Sequence, residues 1–297
     1  MDRQSTGLLI ALGAIWGASH LFTRVAVPAL GPVALIALRV LLAAALLAAL
    51  ARLYRQHGNP LRPTRFLLTI GVLNTALPFF LLAFAAQSLT ASMLSILNAT
   101  APIWGALIGS LHARRLPPWR VGCGLALGML GVGLVVGLDG VLSAPGSGLA
   151  VGAALAATFS YGLSSQLIRW YGKGVAPFQL AHGSMWWAAI AILPWLGVAP
   201  PRSMPGIWAL LGVLVLGLLC TGVAYVMYFR LVERAGAMRA LTVTFLVPVF
   251  GVLWGHAVLG EPLGPHTFAG TAVVLLGTAL ATGFLPGQLK KSRAGNP

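Results

Sequence analysis

Four side chains able to hydrogen-bond or stack crowd one helical stripe near the start of this chain. Trp16, Ser19, His20 and Thr23 fall at i, i+3, i+4 and i+7 of an otherwise apolar run, which places them on one face of a helix. A second stripe lies 145 residues further on: Thr158, Tyr161 and Ser165, with Ser164 beside them. The register pairs Trp16 with Tyr161, Gly17 with Gly162, Ser19 with Ser164 and Arg24 with Arg169, while Ser165 takes the place of His20. A polar face inside an apolar segment is costly unless it looks onto protein or water. Lining a cavity is one use for it, with Trp16 and Tyr161 as opposite walls and Ser19, His20 and Ser165 as hydrogen-bond partners. Bonding between helices that only holds them together is the other.

Further polar groups stand next to prolines. Asn74-Thr75 aligns with Cys220-Thr221, and Pro78 follows Asn74 by four residues, which frees a backbone carbonyl. Tyr225 and Tyr228 add phenol hydroxyls in the segment that contains Cys220. Asn98 precedes Pro102, and Thr244 precedes Pro248, each by one helical turn. Such residues either cap the freed carbonyl or bind a ligand. The prolines themselves read as hinges. Arg39 lies about seven residues into its apolar segment, roughly 10 Å from the end. Its fork of donors suits a carboxylate, although a structural or gating role is the broader expectation.

The elements that position these residues must be membrane helices. Of 297 residues, 58% are hydrophobic and only 8% are charged, against about a quarter charged in a soluble domain. Windows of about 20 apolar residues fall at 6–27, 32–53, 65–86, 90–111, 119–138, 148–171, 177–198, 206–229, 237–259 and 265–285. Turn residues separate them: Gly31-Pro32, Gly58-Asn59-Pro60, Pro117-Pro118, Ala144-Pro145-Gly146, Pro200-Pro201 and Gly264-Pro265. The first window carries polar residues and ends in Val27-Pro28, so an uncleaved span is expected rather than a signal peptide. Backbone groups in lipid must be satisfied within the segment, so the expected class is all-α, with ten transmembrane helices.

With the N-terminus in the cytoplasm, every Lys and Arg except Arg24, Arg39 and Arg202 falls in an inner segment or connector. Both termini are then cytoplasmic. The same bias explains the net charge of +15 without nucleic acid. At an offset of 146, Ala101-Pro102-Ile103-Trp104-Gly105 falls on Val247-Pro248-Val249-Phe250-Gly251. Two halves, 1–142 and 143–297, therefore hold five spans each and enter the membrane from opposite sides. Inverted repeats of this kind place a site at their interface near the midplane.

These motifs, with Ile15-Trp16-Gly17, Ala37-Leu38-Arg39, Leu259-Gly260-Glu261 and the Phe268-Ala269-Gly270 to Gly277 stretch, resemble the EamA-type permeases of the drug/metabolite transporter superfamily. The resemblance covers almost the whole chain. It departs at Arg114-Arg115, where the first repeat often carries Gly-Glu. It implies a ten-span transporter of small metabolites, amino acids among them.

Exclusions narrow the rest. No phosphate-cradling loop, zinc-protease motif or cluster of metal ligands occurs, so no cofactor is expected. Cys123 and Cys220 read as small buried apolar side chains. The four carboxylates, Asp2, Asp139, Glu233 and Glu261, all sit near span ends. His20, His182 and His256 are left as the groups suited to proton traffic. A facilitator or weakly coupled exporter, monomeric and resident in the cell membrane, is the expectation. An intramembrane enzyme acting on lipid is the alternative, but Ser19 and His20 lack an orienting carboxylate. A structural subunit would not need two matched polar faces.

Overall fold

A computed structural model of the protein describes residues 2–55, 59, 61–138 and 146–283. Gly58, Pro60, Asp139, Ala144, Pro145, Lys290, Lys291 and Arg293 lie outside the described residues. No strand occurs among the described residues. The chain is a bundle of helices: α1 Arg3–Leu53, α2 Thr64–Ala85, α3 Ala91–His112, α4 Trp119–Leu138 and α5 Ser147–Tyr171. After these come α6 Pro177–Ile192, α7 Ile207–Ala235, a single turn Ala237–Ala240, α8 Val243–Leu259 and α9 Pro265–Thr282. By length and composition α1, α2, α3, α5 and α7 can cross a membrane, while α8 and the Trp119–Val135 part of α4 are shorter apolar helices.

The start and stop residues follow from backbone chemistry. Asp2 and Thr90 accept from Ser5 N and Met93 N at the first turns of α1 and α3, which satisfies otherwise orphaned donors. Proline opens α6 and α9, where no N–H is needed. Gly260 and Gly283 close α8 and α9 in the left-handed conformation.

The two windows expected at 6–27 and 32–53 form one element. α1 is 51 residues long and is broken only at Gly31, whose φ of 70° and ψ of 166° turn the chain. Glycine alone takes that conformation without steric cost, and Pro32 then restarts the helix. No connector intervenes, because the turn needs a single residue.

Small residues set how closely the helices approach. A methyl group at Gly124 would meet Gly277 O at 2.6 Å, and one at Gly131 would meet Gly270 O at 2.8 Å. α4 and α9 therefore touch backbone to backbone. Cys123 is exposed on α4 rather than buried as expected, since Gly124 beside it takes the packed face. The main apolar core draws Val27, Leu35, Ile36 and Val40 from α1, Leu94 and Leu97 from α3, and Met185 and Leu216 from α6 and α7.

Candidate functional site

Residues 16–20 of α1 and their partners in α5 are each seated by a glycine. A methyl at Gly17 would meet Phe250 Cβ at 2.7 Å and Gly251 N at 2.8 Å. A methyl at Gly162 would meet Trp104 Cβ and Gly105 N, both at 2.7 Å. α1 thus rests on α8 by the same contact that rests α5 on α3. A second contact is repeated as well. A methyl at Gly217 on α7 would meet Leu42 Cβ at 2.6 Å and Arg39 O at 3.0 Å, while one at Gly71 on α2 would meet Trp187 Cβ and Ser184 O, both at 2.8 Å.

Beside Gly71 and Gly217 the helices change winding. Val72–Ala76 in α2 and Val215–Val223 in α7 are π-helical, a local widening that often marks functional positions. Pro78 follows the first widening, where the looser winding absorbs its missing donor. The two widened turns carry Asn74-Thr75 and Cys220-Thr221 and present them to α1 and α5. Cys220 Sγ donates to Ile15 O at 3.3 Å, and Ser160 Oγ donates to Leu73 O at 2.6 Å.

Arg39 is the centre of the polar core. It is only 8% exposed. Its Nε donates to Thr221 Oγ1 at 3.0 Å, and that hydroxyl in turn donates to Leu216 O at 2.7 Å. The guanidinium lies over the Phe79 ring, 3.8 Å from its centroid, a cation–π arrangement. Tyr161, Cys220 and Tyr225 are its electrostatic neighbours, and His20 also feels its charge. Ser164 Oγ donates to Asn74 Oδ1 at 2.8 Å. The repeated contact puts Ser184 where Arg39 stands in the other half. Ser184 donates to its own helix at Ala181 O. Thr75, the counterpart of Thr221, is left buried with an unpartnered hydroxyl, because serine is too short to cross to it.

The structure therefore draws together His20, Asn74, Tyr161 and Tyr225 from the expected site residues, and adds Arg39. Trp16 stands at the side. Its ring is 5.6 Å from that of Tyr228, and it packs on the small cluster of Leu12 and Ala224. Tyr161 packs against the main core instead. Trp16 and Tyr161 thus pack on different apolar clusters, with Tyr228 beside Trp16. Ser19 donates to Trp16 O at 2.6 Å, so its hydroxyl is spent on its own helix. Ser165 likewise donates to Gly162 O and lies exposed, 3.2 Å from where a methyl at Gly105 would sit. Ser164 is the member of the pair that reaches Asn74. Thr244 donates to Leu241 O at 2.8 Å, while Asn98 Oδ1 is buried without a partner. Pro102 opens the second segment of α3 after a break at 99–100, whereas Pro248 lies inside α8. Thr158 accepts from Trp104 Nε1 at 3.1 Å, tying α5 to α3.

Of the histidines suited to proton traffic, His182 accepts from Trp186 Nε1 at 3.0 Å, and His256 Nδ1 lies 2.9 Å from Glu261 O. His20 and His182 are both buried, and His20 is the one that feels the charge of Arg39. Arg24 donates to the carbonyls of Ala86 and Leu89 at the end of α2, lining with Arg202 and Gln87 a separate cleft of about 310 Å³.

One carboxylate has a role that residue types alone did not reveal. Glu261, 7% exposed, accepts from Ala91 N at 2.6 Å, Ser92 N at 3.0 Å and Ser92 Oγ at 2.6 Å. It therefore holds the N-terminus of α3, where backbone donors and the helix dipole both favour an anion. Gly260 before it has a φ of 65°. The aligned pair in the first half is Arg114-Arg115, and Arg114 takes the same left-handed turn with a φ of 51°. Arg115 offers no acceptor to a helix N-terminus. The departure from the Gly-Glu pattern leaves one end of the bundle latched by a carboxylate and the other without that latch.

The sequence model of the EamA-like transporter family matches residues 5–137 and again residues 148–283. The chain belongs to this family. It is a helical membrane transporter of the same group. A protein of Archaeoglobus fulgidus described as an uncharacterized transporter is 26% identical over 263 residues, 88% of this chain and 92% of that one. The uncharacterized inner membrane transporter YedA of Escherichia coli strain K12 is 25% identical over 285 residues, 93% of this chain and 90% of its own. A solved crystal structure superposes with a TM-score of 0.68 at 20% identity, covering 97% of this chain and all of the other.

Proposed function

We propose that this transporter exports a small metabolite, an amino acid or close relative, by alternating access around the polar core of Arg39, His20, Asn74, Tyr161 and Tyr225. It works as a monomer in the cell membrane, with both termini cytoplasmic. Residues 1–142 and 143–297 are its two inverted repeats of five spans, each arm of α1 counting as one.

The observation that carries this reading is the duplicated seam. Gly17 on Phe250 and Gly251 has the same geometry as Gly162 on Trp104 and Gly105, and Gly217 on Leu42 has that of Gly71 on Trp187. Repeated contacts at sequence offsets of 145 and 146 support two halves related by pseudo-symmetry, the plan on which rocking transporters are built. Each half supplies its polar residues to the other through the widened turns of α2 and α7. Tyrosine rings with hydroxyls and an amide suit a ligand with an apolar side chain and a polar head. Trp16 and Tyr228 extend the aromatic lining beside Tyr225 and Phe229. No carboxylate joins this group among the described residues, which supports weak or absent proton coupling. The lipid-enzyme alternative gains nothing, because no carboxylate orients His20 among the described residues.

Counterflow in proteoliposomes tests the proposal. Purified protein loaded with one unlabelled solute at a time, from a panel of amino acids, sugars and nucleosides, is diluted into the labelled solute with no ion gradient. Transient accumulation of a labelled amino acid above equilibrium is expected. Accumulation of a sugar or nucleoside alone, or of no panel member, overturns it.

A further inference from the structure

We infer that Arg39 is the anchor for a carboxylate on the transported solute. This deepens the proposed function and rests on it for the site's location. Arginine stays charged at any physiological pH, and a buried cation without a counter-ion is strongly disfavoured. Arg39 is 92% buried by its 8% exposure. Among the described residues its guanidinium donates to one neutral hydroxyl, Thr221, and covers one ring face, Phe79. Its terminal nitrogens donate to no protein group among the described residues. The remaining neighbours are neutral as well: Tyr161, Tyr225 and Cys220, with His20 close by.

The carboxylates of the described chain are committed elsewhere. Asp2 caps α1, Glu261 holds α3, and Glu233 is exposed near the end of α7. With Nε tied to Thr221 and one ring face covered by Phe79, the guanidinium is fixed in orientation and its two terminal nitrogens form a ready two-point donor. A carboxylate matches that geometry with two parallel hydrogen bonds.

Charge selects among anions. One cation faces one side of the core, and the corresponding position in the other half is Ser184, which is neutral. A group with a single negative charge is balanced there. A phosphate monoester, which carries close to two charges at neutral pH, is not. Among the described residues no acidic side chain joins this cluster to meet the amino group of an amino acid. The carboxylate is therefore required and the amino group is dispensable.

Matched sets of solutes test this. Each set contains an amino acid, the amine left by removing its carboxylate, and the acid left by removing its amino group; leucine, isoamylamine and 4-methylpentanoate form one, phenylalanine, phenethylamine and 3-phenylpropanoate another. Two readouts are used: competition against counterflow, and thermal stabilisation of the purified protein in detergent, which does not depend on transport. The acids are expected to act as strongly as the amino acids in both. The amines are expected to act about ten-fold more weakly or worse, equivalent to losing one charge-assisted hydrogen bond. Arg39→Gln is expected to abolish the difference between amine and acid, and Arg39→Lys to retain part of it. Should Arg39→Gln fail to fold, the ranking on the native protein decides by itself. Equal action of amines and acids overturns the inference, as does stabilisation by chloride without stabilisation by any carboxylate, or an Arg39→Gln protein that still prefers acids. Stabilisation by carboxylates with no counterflow would leave the anchor standing and refute the transport reading instead.

Discussion

Replacing Glu261 by glutamine removes a negative charge from the N-terminus of α3 while leaving the side-chain shape almost unchanged. The carboxylate takes three hydrogen bonds, from Ala91 N, Ser92 N and Ser92 Oγ, at 2.6 to 3.0 Å. A hydrogen bond to a charged group contributes about 1.5–3 kcal/mol. Glutamine keeps one oxygen, so a backbone donor retains a neutral acceptor. Its amide nitrogen can donate to the Ser92 hydroxyl after that hydroxyl rotates, which recovers part of the loss. The second backbone donor then faces N–H groups and is unsatisfied. The net cost of opening the first turn of α3 should fall by about 2 kcal/mol, one charge-assisted bond. Opening by that amount raises amide exchange about 30-fold. Hydrogen–deuterium exchange of peptides spanning residues 91–95, compared between wild type and Glu261→Gln in the same detergent, measures it. Ser92→Ala, which removes one of the three bonds and leaves both backbone donors paired, should accelerate exchange less. Glu233→Gln, at an exposed position, should change nothing there. Exchange at 91–95 within two-fold of wild type in Glu261→Gln would refute the latch.

Gly17→Ala should destabilise by about 1–3 kcal/mol through overpacking against Phe250 and Gly251, whereas Gly7→Ala, with open space around it, should leave the melting temperature unchanged. Trp16→Ala and Tyr161→Ala should each lower counterflow at least several-fold while the protein still reaches the membrane; wild-type rates in both would remove these residues from the site. An imposed pH step should alter flux little, since the core holds no carboxylate among the described residues, and strong acceleration would show a proton path through His20. Hydrogen bonding to Ser5 lowers the pKa of Asp2 below its ordinary 3.8. A lowered carboxylate pKa stabilises above the unfolded value and is lost as pH falls through the folded one. Protection at Ser5 N should therefore exceed that of Asp2→Asn at neutral pH, and the difference should vanish in strong acid.

Much of this arrangement is written in local patterns, and part of it is not. The apolar windows and the prolines and glycines between them mark the helices, because a backbone in lipid has few other choices. Gly31-Pro32 identifies the break in α1, although not that a single residue suffices to make it. The glycines at 17 and 162 announce close contacts, and the offset between them names the partner positions. Side-chain direction around the site is harder to read. The widened turns in α2 and α7 add a residue to the winding, so regular helical spacing misjudges which residues face inward. On α5, a continuous helix, the buried Ser164 rather than Ser165 meets Asn74. Arg39 meets Thr221 across 182 residues of sequence, a pairing no local pattern contains. Alignment of Asn74-Thr75 with Cys220-Thr221 was the available signal. Glu261 looked like a span-end charge, yet its position after a left-handed glycine and opposite Ala91-Ser92 makes it a helix cap, which only the packing of α8 against α3 reveals.

Access to the core from each membrane face tests the account most directly. Ser164→Cys, in a protein whose Cys123 and Cys220 are replaced by serine, puts one thiol beside Asn74. A membrane-impermeant thiol reagent is applied to right-side-out and to inside-out vesicles, with and without a solute that supports counterflow. Alternating access predicts labelling from both faces, with the ratio of the two rates shifted by the solute. Labelling from one face only, under every condition, would contradict it.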